Sequence, residues 1–209
     1  MTVRLIRAAL AGIALCALTN GAWAQQAAHT PESVIEKLGG VMIDTMKNAK
    51  QLAYNGRFQK LAPEIVAAFH LPYMVSVAVG GAWKATTADQ RQRLVEAFAR
   101  YMVAVHASRL DGYSGETFRV VGNDPLQNNR VLVKAQFVRT SGSTENIDYV
   151  MQNNGGMWQI VDVQYRSAIS EIATRRSEYT AVIKDSGVEK LIAKIDEKTA
   201  ELGHKTSTN

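Results

Sequence analysis

The sequence predicts an α+β fold, with helices packed on one face of a four-stranded (or slightly larger) antiparallel sheet. Three observations carry that expectation. Apolar residues recur at helical spacing through the first half of the chain, the period drops to two between Thr117 and Tyr165, and helical spacing returns from Ser170 onward. The strand-like stretch is broken only by short turn signals, so its strands are expected to pair as a meander, with the helices segregated to one layer.

The 209-residue chain carries a formal charge of +5. Residues 1–24 read as a cleaved signal peptide. Arg4 and Arg7 form a positive start, Ala8 to Leu18 a short apolar run, and Ala22-Trp23-Ala24 a small-residue cleavage site. Cys16, the one cysteine, falls in this segment behind Leu15, where a lipoprotein signal would want a small residue. The mature chain is therefore expected to be exported without disulfides, thiolate metal sites or a cysteine nucleophile. Residues 25–203 are long enough for a single domain with a sizeable core. Residues 204–209 read as a flexible tail.

Thr30 is a candidate helix cap with Pro31 at the first helical position, followed by a stripe through Val34, Ile35, Leu38, Val41, Met42 and Met46. Gly39-Gly40 interrupts that stripe, and Asn55-Gly56 signals a turn. A further helix is expected to begin near Pro63, because an interior proline removes a backbone hydrogen bond. Pro72 opens a short helix that Gly80-Gly81 ends. Thr87 and Gln90 have capping-box spacing, and the helix they open lines Leu94, Phe98, Tyr101, Met102 and Val105 along one face until Asp111-Gly112.

Strands are expected at Thr117 to Val121, Arg130 to Arg139, Ile147 to Met151 and Met157 to Tyr165. The turns between them are Gly122 to Pro125, Ser141 to Ser143, and Asn153 to Gly156, the last a strong hairpin signal. Ser170 caps the next helix, with Glu171 one turn before Arg175 in the favourable order. Ser186 and Glu189 mark a second capping box.

No constellation for catalysis or metal binding emerges. His29, His70, His106 and His204 are scattered, and there is no nucleophile elbow, phosphate loop or dinucleotide fingerprint. Asp162, inside an apolar strand, is best explained as an acceptor for a neighbouring loop or helix end, or as facing solvent. Acidic and basic residues are interspersed, without the basic runs of a nucleic-acid binder. Lipid carriage is compatible with such a sequence, because an acyl chain needs only an apolar cavity between the layers. At about 0.8 kcal/mol per buried methylene, two long chains represent on the order of 20 kcal/mol, so release would require a partner or a membrane.

Several runs then carry a resemblance: Gly80-Gly81-Ala82-Trp83, Phe98-Ala99-Arg100-Tyr101, Ile147-Asp148-Tyr149, Trp158 to Val163, Ser170-Glu171, and Arg175-Arg176-Ser177-Glu178-Tyr179. In order and spacing the chain resembles the MlaC, or toluene-tolerance, periplasmic family, and the last runs look most like its HpnM, hopanoid-associated branch. His70 stands where the family often has Asp. Ser167 stands where Gly is usual, implying a different corner. The resemblance implies a soluble periplasmic shuttle, without enzymatic activity, cofactor or metal, that exchanges phospholipid or hopanoid-type lipid with membrane-bound ABC-transporter components. A monomer is expected.

The pocket would be lined by Met74, Val77, Trp83, Leu94, Phe98, Tyr101, Met102 and Val105 from the helices. Val133, Phe137, Tyr149, Met151, Trp158 and Ile160 would line it from the sheet. Arg175 and Arg176 are candidates for partner docking. Two rival readings are an α+β cavity enzyme using Asp162 or His106 as acid/base, and an adaptor whose cavity is merely core.

Overall fold

The computed structural model describes residues 29–165 and 169–207; the segment expected to be a signal peptide and the Ser167 corner lie outside them. Its helices are α1 (Pro31–Lys47), α2 (Ala49–Ala68), α3 (Leu71–Val79), α4 (Ala88–Arg109) and α5 (Glu171–Ser207), with a 3-10 turn over Gly80–Ala85. Strands β1 (Thr117–Leu126), β2 (Arg130–Val138), β3 (Thr144–Asn154), β4 (Met157–Tyr165) and β5 (Ile169–Ser170) pair antiparallel in sequence order. The fold is thus the expected α+β arrangement, with the two-residue β5 bringing the sheet to five strands.

Local signals place most helix starts. Thr30 and Ser33 close a reciprocal capping box on α1, and Thr87 and Gln90 close another on α4. The His70 ring accepts the Tyr73 amide at the start of α3, and the His70 amide donates to the Ile160 carbonyl at 2.9 Å, tying the α2–α3 corner to β4.

Gly39-Gly40 does not break α1. Gly39 is where the helix crosses β1, and a Cβ there would stand 2.0 Å from Cδ1 of Phe118, whereas one on Gly40 would meet nothing within 4 Å. Gly39→Ala should therefore cost about 2–3 kcal/mol by forcing the Phe118 ring aside. Gly40→Ala should instead stabilise by about 0.5–1 kcal/mol through helix propensity. Urea denaturation of the two variants checks the contrast.

Four expectations about boundaries are corrected. The break expected at Asn55-Gly56 falls at Ala53, which adopts φ 49° and ψ −170°. From there α2 continues through Pro63 to Ala68, so no helix begins at Pro63. Pro63 and Gln59, whose carbonyl it strands, are both exposed, so water can take the missing bond. The first strand does not turn at Gly122. It passes through a bulge between Val120 and Gly122 and runs to Leu126, and the reversal falls on Asn128 and Asn129, both at positive φ. Pro125 is tolerated because β1 is an edge strand. The last helix continues to Ser207, beyond the point where the tail was expected.

α5 is a helical hairpin broken at Gly187, φ 80°. Its first half runs antiparallel to α4, since Arg175 stacks on Tyr101 and Tyr179 meets Phe98 edge-on. Its second half runs parallel to α4, pairing Glu189 with Arg93 and Asp196 with Arg100.

The core lies between this helical layer and one sheet face. Met74, Leu94, Phe98, Val133, Met151 and Ile160 are at most 1 % exposed within it. Val77, Trp83 and Trp158 pack against its margin. Phe137 is half-buried, with the Arg139 guanidinium 5.5 Å from its ring centre.

Candidate functional site

On β4 a bulge decides which residues face the helices. Val150 pairs with Asp162 but Met151 with Ile160, leaving Val161 as the extra residue. The inward set therefore passes from Trp158 and Ile160 to Val163 and Tyr165, and Asp162 turns to the opposite face. There its carboxylate accepts the Ser170 hydroxyl at 2.6 Å and the Ile172 amide at 3.1 Å. Ser170 in turn accepts the Ala173 amide, so the pair caps α5. Asp162 is structural, as its surroundings in the sequence suggested.

The inward residues of β3 and β4 close a cavity of about 230 Å³ against α4 and the start of α5. Tyr101, Met102, Val105, His106 and Arg109 line it from two turns of one α4 face, and Phe69 from the end of α2. Tyr149, Val163 and Tyr165 line it from the sheet, and Glu171 and Arg175 from α5. Of the expected pocket residues, Tyr101, Met102, Val105 and Tyr149 lie here. Met74, Val77, Trp83, Leu94, Phe98, Val133, Phe137, Met151, Trp158 and Ile160 do not line this cavity.

Phe69, Arg109, Val163, Tyr165 and Glu171 were missed as lining residues. Arg109 was legible in principle, because it continues the Tyr101–Val105 stripe at four-residue spacing. Val163 and Tyr165 were hidden by the bulge.

The lining is amphipathic. Phe69, Met102, Val105 and Val163 form an apolar wall, and the polar groups gather towards Arg109, Tyr165, Glu171 and Arg175. Glu171 accepts two bonds from Arg175, at 2.6 and 2.8 Å, while Glu178 takes a third at 3.1 Å. Arg175, expected at a docking surface, is instead turned inward with 17 % of its side chain exposed, and Arg176 is the exposed member of the pair. Burial works against the Arg175 charge, but Glu171 and the surrounding tyrosines hold its pKa above the ordinary arginine value.

Burial pushes the Tyr149 phenol far up, and the neighbouring Tyr165 adds to the effect, so Tyr149 remains a hydroxyl donor. Tyr165 is raised by burial and by Glu171, against the positive charge of the nearby Arg109.

His106 lies 2.7 Å by Nδ1 from the Met102 carbonyl. A carbonyl only accepts, so Nδ1 carries the proton and Nε2 is left as an acceptor in the neutral ring. Burial lowers the His106 pKa, with Arg109 acting in the same direction and the Met102 bond and Glu171 opposing it. Below the unfolded value of about 6.5 the unfolded chain takes up a proton that the folded chain refuses. Stability is therefore fully present above that pH and falls as pH drops through it. His106→Gln should flatten this loss between about pH 7 and 5, as followed by chemical denaturation across that range.

A larger groove, about 410 Å³, lies between α1 and β1 around Gly39 and Gly40. Glu36, Asp44, Lys47, Glu116 and Arg119 ring it, with a floor of Ile43, Phe118 and Val120. It is a surface trough rather than a site between the layers. Among the described residues no group of three or more His, Cys, Asp or Glu side chains could hold a metal, and no helix is long and apolar enough to cross a membrane.

Comparison with known proteins gives three findings. The family model described as MlaC protein matches residues 36–197. The chain is 21% identical over 136 residues to the intermembrane phospholipid transport system binding protein MlaC of Haemophilus influenzae, covering 63% of each chain. It thus spans just under two thirds of that relative's length. A phospholipid-binding protein from Ralstonia solanacearum, solved in complex with a phospholipid, superposes with a TM-score of 0.72. That match covers 82% of this chain and 98% of the other at 20% identity, and the likeness is one of fold.

Proposed function

The chain belongs to the MlaC family, and on that premise we propose that it is a non-enzymatic carrier holding a membrane lipid between α4 and the sheet. The supporting observation is the cavity itself, an apolar wall with polar groups at one end, placed between the layers where separation of α4 from β3 and β4 would enlarge it. At about 230 Å³ it is smaller than the roughly 300–1,000 Å³ of an ordinary small-molecule pocket. A two-chain lipid therefore enters only when the layers part.

The names of the two relatives point to phospholipid as the ligand class. A hopanoid-type cargo, residence in the periplasm after removal of residues 1–24, a monomeric state and exchange with a membrane-bound ABC transporter complete the reading. They rest on the resemblance to the HpnM-like branch and on the signal-like N-terminus. The competing enzyme reading loses one of its groups, since both Asp162 oxygens cap α5 on the face away from His106.

Lipid extraction from vesicles tests the carrier reading. Lipid-free protein is mixed with sedimentable phospholipid vesicles, the vesicles are pelleted, and lipid is counted in the supernatant. The expected result is a protein-dependent rise towards one lipid per chain. A supernatant lipid content that does not depend on the protein contradicts the reading. Adding hopanoid to the vesicles and counting both lipids decides the cargo.

A further inference from the structure

The polar end of the cavity contains more hydrogen-bonding capacity than the protein uses. Tyr149 is 4 % exposed, lines the cavity, and its hydroxyl has no hydrogen-bond partner among the described residues. Tyr165 lies beside it, with the Arg109 guanidinium close by. Arg109 is exposed and has no carboxylate partner among the described residues. His106 presents Nε2 as an acceptor on the same α4 face.

The charge balance selects the ligand's sign. Glu171 is held as a pair by Arg175, His106 is neutral, and the Arg109 charge remains uncompensated. Three donors and one net positive charge thus converge at one end of an apolar wall. A neutral ester would satisfy the hydroxyls but leave the guanidinium unanswered, whereas an oxyanion satisfies both.

We propose that Arg109, Tyr149 and Tyr165 form a binding site for the oxyanion of an amphiphile's head, a phosphate or carboxylate, with the adjoining carbons laid along Met102, Val105 and Val163. This deepens the carrier reading and rests on it. The cargo is recognised by its head at the sheet end of α4, and not solely by burial of its chains. The volume agrees, because about 230 Å³, below the roughly 300–1,000 Å³ of a drug-sized pocket, accommodates an oxyanion and the carbons next to it but not a pair of chains.

The test is calorimetric titration of the full chain, freed of lipid, with three probes: dihexanoyl phosphatidylglycerol, dihexanoylglycerol and inorganic phosphate. The variants are Arg109→Gln, at an exposed position that leaves the fold unchanged, and Tyr149→Phe, which removes only the hydroxyl. The wild-type chain is expected to bind the phosphate-bearing lipid at least about tenfold more tightly than the diacylglycerol. Arg109→Gln should remove about tenfold and Tyr149→Phe about fivefold of that affinity, with diacylglycerol binding changed less than about twofold.

Equal wild-type affinity for the two lipids, or an equal loss for both in Arg109→Gln, overturns the head assignment while leaving the carrier reading standing. Inorganic phosphate binding as tightly as the phospholipid, and lost in the same variants, makes this a free-anion site and also overturns it. A wild-type chain that binds neither lipid overturns the carrier reading and the assignment together.

Discussion

Val105→Trp should leave a folded protein that carries almost no lipid. Val105 is half-buried on α4, between Tyr101 and Arg109 on the face that closes the cavity. An indole placed there projects into empty space of about 230 Å³ and meets the apolar wall of Met102, Phe69 and Val163. Filling a cavity costs little when the new side chain fits, so the melting temperature should stay within a few degrees of wild type. Ligand entry, by contrast, requires that same space, and the lipid recovered per chain should fall at least about tenfold, a difference of about 1.4 kcal/mol or more in loading. Val105→Ala enlarges the cavity and should retain loading. Were Val105→Trp to load normally while remaining folded, the cargo would have to lie elsewhere, with the α1–β1 groove the next place to look.

The second large effect concerns Arg57, which binds nothing in the cavity but fixes the elements that build it. Arg57 is 4 % exposed. Its Nε donates to the Ala107 carbonyl at 2.8 Å and its Nη1 to the Ala49 carbonyl at 3.0 Å. Ala107 is in the last turn of α4, where carbonyls have no helical partner. Ala49 is in the first turn of α2, on the other side of the Ala53 break from Arg57. One guanidinium thus answers an orphaned carbonyl at the end of α4 and ties the two parts of α2 together across the kink. Arg57→Met matches the stem but loses both charge-assisted bonds and strands the Ala107 carbonyl, and should cost about 3 kcal/mol. For a domain of this size that is a fall of about 6–12 °C in Tm. Denaturant melts at fixed pH would measure it, and a loss below about 1 kcal/mol would mean that water replaces the guanidinium at both carbonyls.

These two residues also show what the sequence can and cannot convey. The Thr30 and Thr87 caps, the Asn153–Gly156 hairpin and the break near Gly187 were legible because each is a local bargain among neighbouring residues. The kink at Ala53 was not. Alanine gives no signal for a positive φ, and Arg57 makes the bond that supports the kink to Ala107, fifty positions away. The first hairpin was misplaced because a bulge and an edge proline use the same residue types as a turn, so Gly122 and Pro125 looked like a reversal.

The site suffered from the same non-locality. Strict alternation from Trp158 and Ile160 points to Asp162 and Gln164 as the next inward residues. The Val161 bulge shifts that phase and brings Val163 and Tyr165 into the cavity instead. Among the helical candidates, Leu94 and Phe98 share the α4 stripe of the lining residues, but their depth in the core follows from packing partners distant in sequence. The stripe identified the inward face of α4. Which two turns of that face border empty space depended on where the sheet bulges and where α5 begins.

The most direct measurement is the native mass of the protein as isolated. The full chain, expressed with its N-terminal segment in place and purified without detergent, is sprayed under native conditions, then extracted with organic solvent. The carrier account predicts a species heavier than the polypeptide by the mass of one lipid, converted to bare polypeptide on extraction, and absent from Val105→Trp. Wild-type protein that is lipid-free as isolated and remains so after exposure to vesicles would contradict it.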